Sequence, residues 1–376
     1  MLKYLTLTSY IVIALLVVNC ASGPSSVQFT SAKTKARSER NLKEAELYAL
    51  EALVLDVHQQ DAQVPYFLAT EVYKPQKKWA KVTEMFDEAM KRDPEAMLLQ
   101  PLMFDGEVIT KMQDQITNYY VNELWYILYN DAFKIYEKDA SDPKIIELLE
   151  LAMHVNANHV KTYILLATAY KENDELNLSR DMINKGLSIN NIKENDKAQL
   201  CAVKAETFIK EKKYSDGISS YKQMYDYYQQ ANDEDGLMVA MIAILGLNLL
   251  QEDWLESIYW SEKIYENDFL IDEENKMDVF LNMGLAYNNV ASSYFNLARK
   301  VFEEDEQPKS EWQEALNNFK ISYKYFDVAR DFFLDLEMMD YNNAVSMQEQ
   351  IEKYMETIDD ELIPQCEKQL KSLNSN

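Results

Sequence analysis

Residues 64–94, VPYFLATEVYKPQKKWAKVTEMFDEAMKRDP, leave a chain few folds to choose from. Apolar residues recur there at spacings of three and four in two consecutive runs, the pattern of two short amphipathic helices folded back on each other. Tyr66, Ala69, Thr70 and Tyr73 fall on one face of the first helix. Trp79, Val82, Phe86 and Ala89 do the same on the second, and Pro94 closes the unit. Neither helix can bury its apolar face alone, so such a unit is stable only when copies stack. The chain has 7 glycines in 376 residues and no proline between Pro143 and Pro308, which suits long helices better than hairpins or sandwiches.

Copies follow along the sequence. Phe29, Ala32 and Ala36, then Leu42, Ala45, Ala49 and Ala52, make an alanine-rich pair ahead of the first unit. Asp142-Pro143 reads as an N-cap and first helical turn, with Ile145, Leu149 and Ala152 following at repeat spacing. Tyr163, Leu166, Ala167 and Tyr170 pair with Leu176, Ser179, Ile183 and Gly186. Further pairs carry Cys201, Ala205, Phe208, Tyr214, Gly217 and Tyr221, then Met241, Leu245, Trp254, Ser257 and Ile264. The order of bulky, small, aromatic and alanine positions counted from Tyr66 resembles a tetratricopeptide repeat, whose period is about 34 residues. The resemblance is strongest in 63–94, 160–191 and 198–225 and absent in 95–128. It implies an all-α solenoid of helical hairpins, an α-α superhelix, serving as a non-catalytic scaffold.

The chain divides accordingly into 1–19, 20–28, a repeat region over 29–271, and a long-helix region with a capping helix over 272–376. Within the repeat region, 95–138 is an irregular insertion. Pro101 and Gly106 interrupt its start, and Ile116, Tyr119, Tyr120, Leu124, Trp125, Leu128 and Phe133 then run at helical spacing, so a short helix followed by a long one is expected. In the last region Phe280, Met283, Gly284 and Tyr287 continue the pattern. Ser310 with Gln313 reads as a capping box, and Pro364 should kink or end the final helix.

Residues 1–20, MLKYLTLTSYIVIALLVVNC, hold an apolar run from Ile11 to Val18 that is too short to span a bilayer and suits a signal peptide. Its end at Cys20 resembles a bacterial lipobox, with Asn19 where Gly or Ala is usual. The resemblance implies cleavage before Cys20, lipidation of its thiol, and a flexible tether over 20–28. Without Asp at positions 21 and 22, it implies sorting to the periplasmic face of the outer membrane, in a bacterial cell envelope.

A formal charge of −25, from 63 acidic and 38 basic residues, repels phosphate backbones and argues against a nucleic-acid partner. Lys33, Lys35, Arg37, Arg40 and Lys43 form the most basic stretch, beside the anchor, where a solvated helix face is the plainer reading. Cys201 and Cys366 have no metal-like spacing, and His154 and His159 miss the i, i+4 offset of two ligands on one helix face. No phosphate-binding glycine loop or nucleophile elbow occurs. No enzyme activity, cofactor or metal is therefore expected.

In the family, the fifth and ninth positions of each repeat line the concave face. By that correspondence the partner-binding groove takes in Phe67, Glu71, Ile164, Thr168, Ala202, Glu206, Ile242 and Leu281, and Lys171 and Asn288 are placed in it beside them. No fifth-and-ninth pair is Lys with Asn, so capture of a C-terminal carboxylate is not expected. Every fifth position is apolar, which predicts a greasy inner stripe for an apolar helix or peptide segment. Together with the lipobox, the resemblance implies a membrane-anchored adaptor for a protein or peptide partner. A transport accessory lipoprotein enclosing a small-ligand pocket is the alternative.

Overall fold

A computed structural model describes residues 24–104, 106–267, 273–303 and 307–374. Residues 1–23, on which the expected signal peptide, lipidated Cys20 and most of the expected tether fall, lie outside the described residues. The chain forms two compact units, 1–169 and 170–376.

The first unit opens with the antiparallel pair α1 (Val27–Arg37) and α2 (Leu42–Leu53). Both start as their sequences dictate: the Ser26 hydroxyl accepts the Phe29 N–H and the Asn41 side chain accepts the Glu44 N–H. Ala32, Ala45, Ala49 and Ala52 are fully buried, and their small size lets the two axes approach. The next pair is α3 (Gln63–Phe67) and α4 (Trp79–Arg92). Here α3 does not run on as a regular helix; it widens into a π turn over Leu68–Tyr73 and tightens into a 3₁₀ turn over Lys74–Gln76. Pro75 cannot donate to the Glu71 carbonyl, which breaks the regular ladder at that point. The wider turn rotates the buried face, so Phe67, Leu68, Ala69, Val72 and Tyr73 are inside while Tyr66 and Thr70 are half-buried.

The insertion departs from expectation. Its start is a β-hairpin, β1 (Met97–Phe104) and β2 (Glu107–Lys111), turning at Gly106 with φ +85°. The sequence predicts a short helix ahead of a long one there, after an interruption at Pro101 and Gly106. Pro101 midway along MLLQPLMF and the β-branched pair Val108-Ile109 favour extended backbone instead. The pairing is irregular between Met97 and Leu102, the stretch that holds Pro101. The long helix follows as α5 (Met112–Tyr119), a π turn over Tyr120–Leu124, and α6 (Trp125–Tyr136). Ile116, Tyr119, Leu124, Trp125 and Leu128 are core, as an aromatic stripe at helical spacing usually is. The unit ends with α7 (Pro143–Val155), capped by Asp142, and α8 (Val160–Glu172).

The second unit continues with α9 (Leu176–Leu187), α10 (Glu194–Lys210), α11 (Tyr214–Ala231), α12 (Glu234–Leu250) and α13 (Trp254–Tyr265). Then come the long helices α14 (Glu273–Arg299) and α15 (Lys309–Met338), followed by α16 (Ala344–Glu356) and α17 (Ile363–Leu373). Phe280, Met283, Phe319, Phe326, Phe333, Ile351, Ile358 and Cys366 join one buried cluster, so the last helices do close over the stack. The expected capping box at Ser310 does not form. Pro308, already extended, is the N-cap and the helix starts at Lys309. At Pro364 the regular helix is interrupted: α16 ends at Glu356, a π turn covers Thr357–Leu362, and Pro364 sits in the first turn of α17.

One closure recurs in both units. Lys77, Asp174, Lys212, Asn232, Glu252 and Asp340 all have positive φ, between 54° and 61°. In each case the next N–H reaches back five residues to a helix carbonyl, as Lys213 does to Phe208 and Asp253 to Asn248, both at 2.9 Å. This is the Schellman closure. Its repetition is structural evidence of the repeat, independent of any sequence template.

Candidate functional site

In the first unit a cleft of about 710 Å³ opens between α1, α3 and the β-hairpin. Phe29, Lys33 and Arg37 stand four residues apart on α1 and so share one helix face. Tyr66, Phe67 and Glu71 face them from α3 and its π turn, and Leu98, Leu99 and Leu102 come from β1. The Arg37 guanidinium grips both carboxylate oxygens of Glu71, with Nε donating at 2.8 Å. This bidentate geometry holds the two helices at a fixed spacing. The Lys33 ammonium lies 4.4 Å from the centre of the Phe29 ring. Tyr66 donates to the Gln115 side chain at 3.1 Å, and burial, helped by the Glu71 charge, pushes its hydroxyl up from the ordinary phenol range. Gln63 donates to the Met97 carbonyl at 3.1 Å, and Lys111 pairs with Glu95 at 2.6 Å, fixing the foot of the hairpin. The cleft therefore offers apolar walls with one satisfied ion pair, a lysine and a phenol at its edge.

Beneath α1 lies a constellation that no sequence motif announces. His58 is completely buried, with Nδ1 2.7 Å from Asp61 Oδ2 and Nε2 3.0 Å from Ser26 Oγ. The order of groups is that of a nucleophile, base and orienting acid. Its setting is that of a lock. Ser26 Oγ already accepts the Phe29 N–H as the α1 cap, and the neighbouring clefts are walled by Pro24 and Ser25, not by Ser26. The triad rivets α1 to the 3₁₀ turn Asp56–His58, whose His58 carbonyl accepts from Arg92 at 2.7 Å.

The ten groove residues fare unevenly. Phe67 is 3 % exposed, with its ring edge-on to Phe29 at 5.6 Å, and Glu71 is engaged by Arg37. Ile164, Thr168, Ala202, Glu206, Ile242, Leu281 and Asn288 are half-buried. Ile242 and Leu281 pack against the second unit's core cluster. Lys171 is buried and paired with Glu206 and Glu172. Of the fifth positions, Phe67 is buried, while Ile164, Ala202, Ile242 and Leu281 each keep part of their surface exposed. In the first unit the cleft gathers Phe67 and Glu71 from that set and adds Lys33, Arg37, Tyr66, Leu98, Leu99 and Leu102. One signal for them was readable: Arg37 and Glu71 are opposite charges 34 residues apart, one repeat period.

Other clefts differ in character. One of about 880 Å³ in the first unit is lined by Lys77, Lys78, Lys81, Lys134 and Lys144, with Lys78 and Lys81 paired to Glu46. One of about 380 Å³ in the second is walled by Tyr265, Tyr287 and Phe332 beside Glu262, Asp331 and Asp335. Burial, then the Asp331 charge, pushes the Asp335 carboxyl up. Among the described residues, no three potential ligands cluster to hold a metal, and no helix is long and apolar enough to cross a membrane.

No protein-family model matches the chain, and no curated protein matches it. Solved structures do resemble it. PilW, a widely conserved type IV pilus biogenesis factor, is 12 % identical, covering 66 % of this chain and 94 % of its own, with a TM-score of 0.31. A tetratricopeptide repeat protein from Parabacteroides merdae is 12 % identical over 89 % of this chain and 99 % of its own, with a TM-score of 0.30. BtubC from P. vanneervenii is 14 % identical over 85 % and 94 %, with a TM-score of 0.33. Superpositions this loose carry no argument about ligand or partner. The repeated antiparallel pairs and their shared turn closure make each unit a tetratricopeptide-like helical stack on its own geometry, with the β-hairpin inserted in the first.

Proposed function

We propose that this chain is a non-catalytic adaptor that holds an extended peptide segment of a protein partner in the cleft between α1, α3 and the β-hairpin. The cleft carries the reading. It is open to solvent and lined by Phe29, Tyr66, Leu98, Leu99 and Leu102 together with Lys33, Arg37, Gln63 and Gln100, a mix that suits a peptide better than an enclosed small ligand. The Arg37–Glu71 pair is already satisfied, so affinity would come from apolar burial against Phe29, Tyr66, Leu99 and Leu102. The apolar run ending at Cys20 further supports a lipid anchor and a site of action in a bacterial cell envelope. One acyl chain binds a membrane only reversibly, so the several chains of a bacterial lipoprotein are what would hold it.

Selection of peptides from a displayed random library on the full-length protein tests the peptide reading. Enriched peptides should lose binding to Tyr66→Ala and to Leu102→Asp while keeping it for Leu178→Ala, an exposed position in the second unit. Peptides indifferent to both cleft variants would overturn it. Radiolabelled fatty acid should enter the wild type and not Cys20→Ala; no label in either would overturn the anchor.

A further inference from the structure

The β-hairpin is unusually bare. Met97, Leu99, Leu102, Met103, Phe104 and Val108 are all exposed, Met103 by 68 % and Val108 by 60 %. No charged side chain lies between Met97 and Phe104. An exposed hydrophobic edge strand without charges is an aggregation hazard, and a two-stranded hairpin alone is marginal in water. This one touches the rest of its unit mainly through half-buried Leu98, the Gln63 bond and the Met112 N–H on the Ala96 carbonyl. Such a patch needs a cover.

The chain's own layout points to one. Pro24 lines the cleft together with Leu98, Leu99 and Leu102 of β1. The apolar run of the sequence ends at Val18, and six residues of extended chain reach at most about 20 Å. Lipid attached at Cys20 would lie closer still, so the headgroup layer falls within a hairpin's length of these side chains. Met103 pairs directly with Val108 across the strands, so the two most exposed aliphatic groups share one face. Glu107, beside the turn, opposes entry tip-first. A hairpin lying flat places the Met103–Val108 face in the acyl boundary and leaves Glu107 among the headgroups. We propose that the β1–β2 hairpin is a membrane-dipping element that seats the first unit on the bilayer, with lipid covering Met103, Val108 and their neighbours. This rests on the anchor reading above, and it adds to the anchor a second contact that orients the first unit on the membrane surface.

The experiment uses the full chain as produced in cells, reconstituted into phosphatidylethanolamine–phosphatidylglycerol vesicles. A dansyl amino acid is encoded at position 103 and, as control, at position 178. Flotation of the vesicles reads the anchor separately from the hairpin. The expected result is flotation, a blue shift at 103 and quenching by nitroxide lipids at 103 but not at 178. Flotation without quenching at 103 overturns the hairpin proposal and leaves the anchor standing. Failure to float, with Cys20 unlipidated, overturns both. A dansyl group at 103 already shielded in detergent solution, and unmoved by vesicles, shows that protein covers the patch and overturns the proposal as well.

Discussion

His58 shows how a residue that looks like chemistry can be architecture. With Nδ1–H donating to Asp61, Nε2 is left to accept the Ser26 hydroxyl proton, and every polar atom of the buried ring is satisfied. Removing the ring leaves the buried Asp61 carboxylate with only the Gln63 N–H, so His58→Ala should cost about 3 kcal/mol, whereas Ser26→Ala should lose only a cap, about 1 kcal/mol. Chemical denaturation of the two variants measures both, and a fluorophosphonate probe should leave Ser26 unlabelled; labelling would make the trio a working nucleophile. The thiols follow the same logic. Cys201 and Cys366 are buried, and burial pushes each up to about 11, far from the thiolate. Peptides containing them should emerge unmodified after iodoacetamide at pH 8 and become alkylated only in denaturant.

At the scale of the element, several helix hairpins are closed by a left-handed residue and stitched to the next by ions. Lys212 adopts φ 59° although a side chain there costs about 1 kcal/mol relative to glycine. Lys212→Gly should therefore raise the melting temperature. Gly236 is the converse case, since a Cβ there would meet the Tyr228 ring of α11. Gly236→Ala should destabilise by about 1–3 kcal/mol through overpacking. The ion pairs join equivalent faces of successive repeats: Glu46 with Lys81 at 3.1 Å, Glu211 with Arg180, Glu256 with Lys222 at 2.9 Å. Burial opposes ionisation of Glu46, yet hydrogen bonds from Lys81 and Lys78 carry its carboxyl below the usual range. Lys213 and Arg180 do so for Glu211, and Lys222 for Glu256. A carboxyl lowered by folding contributes stability that is complete above the unfolded value, about 4.3, and lost as pH falls through the native one. The melting-temperature gap between wild type and Glu46→Gln should be open at pH 7 and close by pH 3.

Across the whole molecule, the legible and illegible parts of the sequence divide by the range of the forces involved. The helix pairs could be read because Tyr163, Leu166, Ala167 and Tyr170 keep the helical period and the same unit recurs. The hairpin could not, because the short run MLLQPLMF has no strand alternation to announce it, and its pairing with Val108-Ile109 lies outside the run itself. The cleft was half visible: Phe67 and Glu71 were placed by repeat position, but Leu98 and Leu99 reach it from a strand, β1, that the repeat pattern does not contain. Stacked repeats also predict how the protein comes apart, since stability is carried by neighbour interfaces and not by one central core. Phe326 is fully buried in the second unit, its ring stacked on Tyr354 at 5.3 Å. Phe326→Ala should cost about 3–5 kcal/mol. Hydrogen exchange should then rise first in α14–α17, while α4 in the first unit keeps its protection. If α4 loses protection in step with α15, the chain is one cooperative globule, and the stacked-unit account of its stability fails.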